Sequence, residues 1–129
     1  SMDIKVKRDQ TNRALSSLLE LVVKFSDDSS DVIVRDAMVQ RFEYTTEAFW
    51  KYLKHYLQTE HNLLANSPRD VMRIGLQAKL YDEETSKELL QMLDDRNLTS
   101  HTYIEELATS IATRIPNYAH RIKSVLENL

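Results

Sequence analysis

The sequence predicts an all-α fold, an antiparallel up-and-down helical bundle of about five helices, two or three of them long and two short. Two observations predict it. Apolar residues recur at helical spacing through almost the whole chain of 129 residues. The chain contains one glycine and two prolines, whereas the tight turns of a β-sheet protein use many more. We expect a single domain over residues 1–129, because this length is typical of one hydrophobic core.

The expected helix boundaries follow from the apolar spacing and from capping residues. Asp31 closes a polar segment and is expected to cap the second helix. Ser67 and Pro68 start the third helix, because serine caps helix N-termini and proline suits the first helical position. Asp82 is the expected cap of the fourth helix. The predicted helices cover residues 9–26, 32–60, 68–80, 83–97 and 103–127.

The fifth predicted helix has a clear start signal and an internal breaker. Thr102 and Glu105 have the spacing of a capping box, which places the helix start at residue 103. Pro116 lies inside this helix. Because a proline removes a backbone donor and clashes with the preceding turn, we expect a kink or a break there.

Composition and charge exclude several classes of function. The chain has no cysteine, which excludes disulfides, thiol catalysis and cysteine-ligated metal sites. Its 17 basic and 20 acidic side chains give a net charge of −3, so any contact with RNA must be local and built from few residues. No aliphatic or aromatic run is long enough for a membrane span, and we expect no membrane partner. Ser1 ahead of Met2 is interpreted as a residue left by a cleaved expression tag.

The histidines and glycine give no sign of a metal or a cofactor. Histidine pairs that bind a metal on a helix are three or four residues apart. His55 and His61 are six apart and His120 is isolated. Gly75 is the single glycine, so no glycine-rich phosphate loop exists. We therefore expect no metal site and no cofactor.

The most informative segment is the polar connection between the last two predicted helices. Asp94 and Asp95 lie near a helix C-terminus, where the helix dipole disfavours acids. Arg96 is the nearest residue that can compensate them. A solvated loop in which Arg96 pairs with Asp95 is therefore one interpretation of the segment.

The other interpretation is a phosphodiester site. Arg96 and His101 would point apart on a continuous helix, but they can converge if one helix ends near Leu98 and the next begins at Thr102. His101 would then precede a helix N-terminus, where free backbone N–H groups favour an anion. An arginine beside a titratable imidazole suits the binding and cleavage of a phosphodiester.

Several motifs resemble known families. Arg96, Asn97 and His101 resemble the R-x4-H motif of the HEPN superfamily, and Tyr103 extends it to the R-x4-H-x-Y form of HepT-type toxins. The segment 41–51, RFEYTTEAFWK, resembles the R-F-E-Y-T-x-E-x-x-W-K block of the nucleotidyltransferase substrate-binding proteins. The similarity covers roughly residues 5–127 and includes two further matching segments, Ser67–Arg69 and Met92–Asn97.

The resemblance implies a fold, partners and two alternative functions. It implies a helical bundle that forms a homodimer with its R-x4-H motifs facing across the interface. It implies a partner, an MNT-type nucleotidyltransferase that acts as antitoxin and transfers AMP to Tyr103. The chain is then a cytoplasmic, metal-independent endoribonuclease toxin that acts on RNA. Alternatively, it is a non-catalytic subunit that binds substrate or nucleotide for the nucleotidyltransferase.

The resemblance also implies roles for particular residues. Arg96 would hold the phosphate, His101 would transfer a proton, and Asn97 would orient either group. The residues expected to support this site are Arg41, Glu43, Lys51 and Asp95, although a solvated ion-pair face is the simpler interpretation of the first three. Two further patterns have simple interpretations: an aromatic stripe expected to pack in the core or a dimer interface (Phe42, Phe49, Trp50), and an arginine pair that is either a phosphate rail or merely exposed (Arg69, Arg73).

Overall fold

The computed structural model describes residues 2–99 and 103–129, and this part of the chain folds into six helices without a strand. The prediction of an all-α bundle is confirmed. The helix number is six rather than about five because the last predicted helix is divided in two. The helices are α1 (Met2–Asp27), α2 (Val32–His61), α3 (Pro68–Gln77), α4 (Glu83–Thr99), α5 (Glu105–Ala112) and α6 (Ile115–Glu127).

Helices α1 and α2 form a long antiparallel hairpin that is the frame of the fold. Asp31 caps α2 as predicted, since its Oδ1 accepts hydrogen bonds from two backbone N–H groups of the first turn, at 3.0 and 3.1 Å. Across the hairpin, Thr11 Oγ1 donates to the carbonyl of Ala48 at 3.1 Å. Helix α1 begins at Met2 rather than at residue 9. These first turns lack a regular apolar pattern, and they lie alongside the C-terminal half of α2.

The core lies between this hairpin and helices α4 to α6. Phe42 and Tyr118 stack with their ring centroids 5.7 Å apart. Phe49 is also fully buried, so the predicted core role of the aromatic stripe is confirmed for two of its three members. Trp50 is only partly buried. Other fully buried large side chains are Leu18, Met38, Leu53, Leu57, Met72, Leu89, Met92, Ile111 and Ile115.

Helices α3 and α4 begin at the predicted caps. Ser67 Oγ accepts from the N–H of Asp70 at 3.1 Å, and Asp82 Oδ1 accepts from the N–H of Thr85 at 2.8 Å. This second bond lowers the pKa of the Asp82 carboxyl. Helix α3 ends at Gln77, earlier than predicted, because Lys79 takes a left-handed conformation with φ of 62°.

The single glycine lies in α3 for a steric reason. A Cβ at Gly75 would collide with the Tyr81 hydroxyl, which donates a hydrogen bond of 2.7 Å to the carbonyl of Met72. Tyr81 thus covers α3 only because the residue beneath it has no side chain.

The break at Pro116 is confirmed, but the predicted start of the fifth helix is wrong. Helix α5 ends at Ala112 and α6 begins at Ile115, with Pro116 in its first turn. Helix α5 begins at Glu105, and its N-cap is Ile104, which makes no side-chain capping bond. Glu105 is therefore the first helical residue, not the third residue of a capping box. Thr102, the predicted cap, lies outside the described residues.

No helix in the described ranges, 2–99 and 103–129, combines the length and the apolar character that a membrane crossing needs.

Candidate functional site at the end of helix α4

The predicted site residues gather where the C-terminal end of α4 packs against α2. Arg96 and Asn97 lie in the last turns of α4, which ends at Thr99, close to the predicted end near Leu98. His101 lies outside the described residues, so its convergence with Arg96 stays a prediction. The chain is described again from Tyr103, immediately before α5.

Helix α2 holds Arg96 by an ion pair across the bundle. Arg96 Nη2 lies 2.6 Å from Glu47 Oε1, and the two side chains are 25% and 31% exposed. Arg96 Nε is buried and has no hydrogen-bond partner in the described part of the chain. The guanidinium is therefore fixed by one of its nitrogens and retains donor capacity for another group.

Glu47 connects Arg96 with two further side chains. Its Oε2 accepts a hydrogen bond of 2.8 Å from Trp50 Nε1. Lys51 Nζ lies 3.9 Å from the same oxygen. Lys51, predicted to support the site, thus reaches Arg96 only through Glu47.

Residues from three of the segments that carry the family resemblance, 41–51, 67–69 and 92–97, meet in one cleft of about 270 Å³. Arg96 and Asn97 form one wall, and the start of α3 forms another. The buried hydroxyl of Thr46 has no partner among the described residues. Besides these groups, the cleft is lined by Glu47, Trp50, Leu93 and the segment Ser67–Arg69. It presents an arginine, an amide and an aromatic ring together, a combination suited to part of a nucleotide.

The prediction that Arg96 compensates its neighbouring aspartates is wrong. Asp94 pairs with Arg69 at 2.7 Å. Asp95 is 5% exposed and pairs with Arg114. Successive helical side chains point about 100° apart, so Asp94, Asp95 and Arg96 face different neighbours. Arg69, one member of the arginine pair noted in the sequence, thus lines the cleft and is paired with Asp94.

The buried Asp95 carboxylate accepts three hydrogen bonds from α6 and its N-cap. Arg114 donates from Nε at 2.7 Å and from Nη2 at 3.0 Å. The Tyr118 hydroxyl donates at 2.5 Å. Burial and this hydrogen bond raise the pKa of Tyr118, and the bond to Asp95 raises the pKa of Arg114. Asp95 therefore anchors α4 to α6 one residue before Arg96, and its role in supporting a functional site stays a prediction.

Tyr103 lines a different pocket, formed with Asp36 and Glu43 of α2, and has an exposed ring and a bonded hydroxyl. The residue is 63% exposed. Its hydroxyl accepts a hydrogen bond of 2.8 Å from Arg35 Nη2 and donates one of 3.4 Å to Asp36 Oδ2. Arg35 is 6% exposed. Burial is the largest single influence and opposes the charge of Arg35, but the hydrogen bond to Asp36 and the nearby charges of Asp36 and Glu105 together outweigh it and raise the pKa of Arg35.

The remaining supporting residues divide between two faces of α2. Glu43 lines a pocket of about 160 Å³ together with Tyr103 and Thr99. Arg41 points the other way, donating to the carbonyl of Ser17 at 2.7 Å. Arg41 and Glu43 lie about 160° apart around the helix, so Arg41 faces α1, and a supporting role for Arg41 at the site stays a prediction. Within residues 2–99 and 103–129, no three His, Cys, Asp or Glu residues are grouped to hold a metal ion.

Residues 7–129 match the family described as nucleotidyltransferase substrate binding protein like. The chain belongs to this family. The resemblance to the nucleotidyltransferase substrate-binding proteins, stated from sequence, is confirmed.

Other proteins resemble this nucleotidyltransferase substrate-binding protein-like chain in sequence and in fold. A protein of Haemophilus influenzae named "Probable ribonuclease HepT" is 29% identical over 140 residues, which cover 99% of this chain and 94% of that protein. A crystal structure from Thermus thermophilus has 44% identity and a TM-score of 0.84, covering 91% of this chain and 96% of that one. A tri-AMPylated Shewanella oneidensis HEPN toxin in complex with MNT antitoxin has 19% identity and a TM-score of 0.76, covering 97% and 94%, and shares the fold.

Sequence reasoning missed several partners in this family member. Arg35 and Asp36 are 68 and 67 positions from Tyr103, and no local pattern links them. The spacing of Glu47 from neighbouring charges on α2 does not point to Arg96. The signal that could have found Glu47 is its place in the RFEYTTEAFWK segment.

The neighbouring aspartates of α4 give a matched test of burial. Asp95→Asn should lower the free energy of unfolding by about 2 kcal/mol, because a neutral amide replaces a buried carboxylate that accepts charged hydrogen bonds. Asp94→Asn removes the same charge one residue away, from a side chain that is 62% exposed, and should cost about 0.5 kcal/mol or less. Urea denaturation followed by circular dichroism measures both. Equal effects would contradict the anchoring role of Asp95.

Alkaline pH should destabilise the protein through Tyr118. Its pKa is raised above the ordinary 10.0, so above about pH 10 the unfolded chain releases a proton that the folded chain retains. The free energy of unfolding then falls with rising pH, by up to about 1.4 kcal/mol per pH unit for this group.

Tyr118→Phe should make this decline shallower in urea denaturation between about pH 9 and pH 11. Tyr44→Phe, at an exposed tyrosine, is the control and should leave the slope unchanged. The same slope in Tyr118→Phe and the wild type would contradict the assignment.

Proposed function

We propose that this protein is the HepT-like toxin of a pair with an MNT-type nucleotidyltransferase, a cytoplasmic endoribonuclease that cleaves RNA without a metal. The observation that carries the proposal is the cleft where Arg96 and Asn97 meet Trp50 and the start of α3. The relative named "Probable ribonuclease HepT" supports it, as does the shared fold of a HEPN toxin held by an MNT antitoxin.

In the proposed reaction, His101 and Arg96 act on one phosphodiester. His101 takes the proton from a ribose 2′-hydroxyl, whose oxygen then forms a bond to phosphorus. The bond between phosphorus and the 5′-oxygen breaks, and that oxygen receives a proton. Arg96 stabilises the negative charge that develops on the phosphate. The products are a 2′,3′-cyclic phosphate and a 5′-hydroxyl, so DNA, which lacks the nucleophile, is not cut.

The proposal includes a homodimer. Two chains related by a two-fold axis would bring two R-x4-H motifs together and supply one histidine as base and one as acid. The exposed apolar side chains of Leu98, Tyr103 and Ile104 beside the motif support an interface at this place.

Tyr103 is the proposed acceptor of AMP. In this step the Tyr103 hydroxyl oxygen forms a bond to the α-phosphorus of ATP in the partner's site, and pyrophosphate leaves. The Arg35 guanidinium donates to the hydroxyl oxygen and Asp36 accepts from it. These contacts orient the hydroxyl and place a carboxylate where its proton can go.

A second candidate function is a non-catalytic subunit that binds nucleotide for the nucleotidyltransferase. The Arg96–Glu47 ion pair favours it, because a guanidinium that is already paired holds less of its charge for a transition state. The RNA assay separates the two functions, since only the first predicts cleavage.

Purified protein should cleave single-stranded RNA in the presence of EDTA. Arg96→Ala and His101→Ala should each lower the cleavage rate by about a hundredfold or more, because each removes transition-state charge stabilisation or proton transfer. Gel electrophoresis and mass spectrometry of the product ends measure the rate and identify the cyclic phosphate.

Two exposed residues far from the motif provide matched controls, Arg13→Ala on α1 and His120→Ala on α6. Both should cleave at the wild-type rate. Cleavage that persists in an Arg96→Ala, His101→Ala double variant would overturn the ribonuclease proposal. A monomer in light scattering at micromolar concentration would overturn the two-histidine site.

AMP transfer should depend on one tyrosine. After incubation with the MNT-type nucleotidyltransferase and ATP, intact-protein mass spectrometry should find AMP on the wild type and on Tyr44→Phe, an exposed tyrosine of α2. Tyr103→Phe should remain unmodified, because it lacks the acceptor oxygen. AMP on Tyr103→Phe would show that the acceptor lies elsewhere.

A further inference from the structure

A second cleft of about 310 Å³ lies beside the Arg96 cleft, between α1 and α2. The N-terminal half of α1 contributes one residue and the C-terminal half of α2 contributes the others. Its lining residues are Lys7, Trp50, Lys51, Lys54, His55 and Gln58.

The second cleft concentrates positive charge in a protein whose net charge is −3. No acidic side chain is among its described lining residues. Lys51 lies 3.9 Å from Glu47, whereas Lys7 and Lys54 make no ion pair with any residue in the described ranges. These ammonium groups are therefore available to an anion. A few local cations of this kind are what an RNA contact needs in a protein without an overall positive charge.

Trp50 is a shared wall of the two clefts. Its Nε1 donates to Glu47, the residue that holds Arg96, so the ring is fixed relative to the guanidinium. Lys51 Nζ lies 6.0 Å from the centre of the ring. An aromatic ring flanked by cations binds single-stranded nucleic acid, because a base stacks on the ring while the cations neutralise the phosphates.

We infer that the cleft formed by Lys7, Trp50, Lys51 and Lys54 is a binding subsite for single-stranded RNA, which holds the nucleotides next to the phosphate at Arg96. The inference deepens the proposed ribonuclease function and rests on it. Because every base has a stacking face, the subsite fixes the position of the strand without strong sequence preference. A folded duplex would not offer such a base, so single-stranded RNA is the expected substrate.

Trp50 itself reports on the subsite, because it is the single tryptophan of the chain. The probe is a fluorescein-labelled 2′-O-methyl oligouridylate. Because it lacks the 2′-hydroxyl nucleophile, it is not cleaved, and its binding to the wild-type protein can be measured. An unlabelled copy should quench the emission of Trp50. Anisotropy of the labelled copy gives Kd and its dependence on salt.

A pair of double variants with equal charge change tests the lysines. Lys7→Gln with Lys54→Gln should raise Kd about tenfold and reduce the slope of log K against log salt concentration by about 1.4, at roughly 0.7 for each lost phosphate contact. Lys87→Gln with Lys123→Gln, at exposed positions on α4 and α6, should leave the slope nearly unchanged. Circular dichroism melts confirm that the variants fold.

Tryptophan variants test the stacking separately. Trp50→Ala should raise Kd about tenfold, whereas Trp50→Phe, which keeps a ring, should raise it about threefold or less. Equal losses in both variants would contradict stacking and overturn the base-binding part of the inference.

The possible failures are distinguishable. Wild-type protein that cleaves RNA but shows no quenching, with equal Kd in the two lysine double variants, overturns the subsite and leaves the proposed function intact. Absence of both binding and cleavage overturns both. Loss of binding to the MNT-type nucleotidyltransferase in the Lys7, Lys54 variant, with RNA binding unchanged, assigns the cleft to the protein partner and overturns the inference.

Discussion

The orientation of the candidate site depends on one buried charge, the Asp95 carboxylate. A carboxylate removed from water is tolerated only when its oxygens are fully bonded, and Arg114 and Tyr118 supply those bonds. Because the three residues must meet, the rotation of α4 about its axis is fixed relative to α6. Arg96 follows Asp95 in the chain, so the same constraint directs Arg96 towards α2. The residue pair Asp95-Arg96 thus combines an anchor with a guanidinium that lines the cleft.

The Glu47 carboxylate explains why the Arg96 guanidinium is tolerated in a partly buried cleft. An unpaired guanidinium there would lose hydration without compensation, and Glu47 supplies that compensation through one nitrogen. The ion pair with Glu47 also reduces the net positive charge around Arg96. A phosphate that binds Arg96 would therefore compete with the Glu47 carboxylate. The same carboxylate accepts a hydrogen bond from Trp50, so a displacement of Arg96 would also affect the aromatic ring. In the proposed RNA subsite, Lys51 and Lys54 lie beside this ring and would attract the phosphate.

Local signals predicted the fold, and they failed where distant residues decide the structure. Asp31, Ser67 and Asp82 cap their helices as expected, because capping depends on the few residues that follow the cap. The predicted helix start at residue 103 is wrong because Tyr103 is bonded to Arg35 on another helix, and a pattern of four residues contains no information about that contact. The partners of Arg96 and Asp95 were missed for the same reason.

The two proposed chemistries are linked by their placement at the ends of one short segment. Arg96 lies in the last turn of α4 and Tyr103 precedes α5, so His101 lies between them in sequence. An AMP group on Tyr103 would bring a negatively charged phosphate to within a few residues of the motif. That charge would repel an RNA phosphate and compete for nearby cations such as Arg35, whose acid partners in the described part of the chain are surface carboxylates. In this proposal, AMP silences the nuclease by adding a competing anion close to the motif in the sequence.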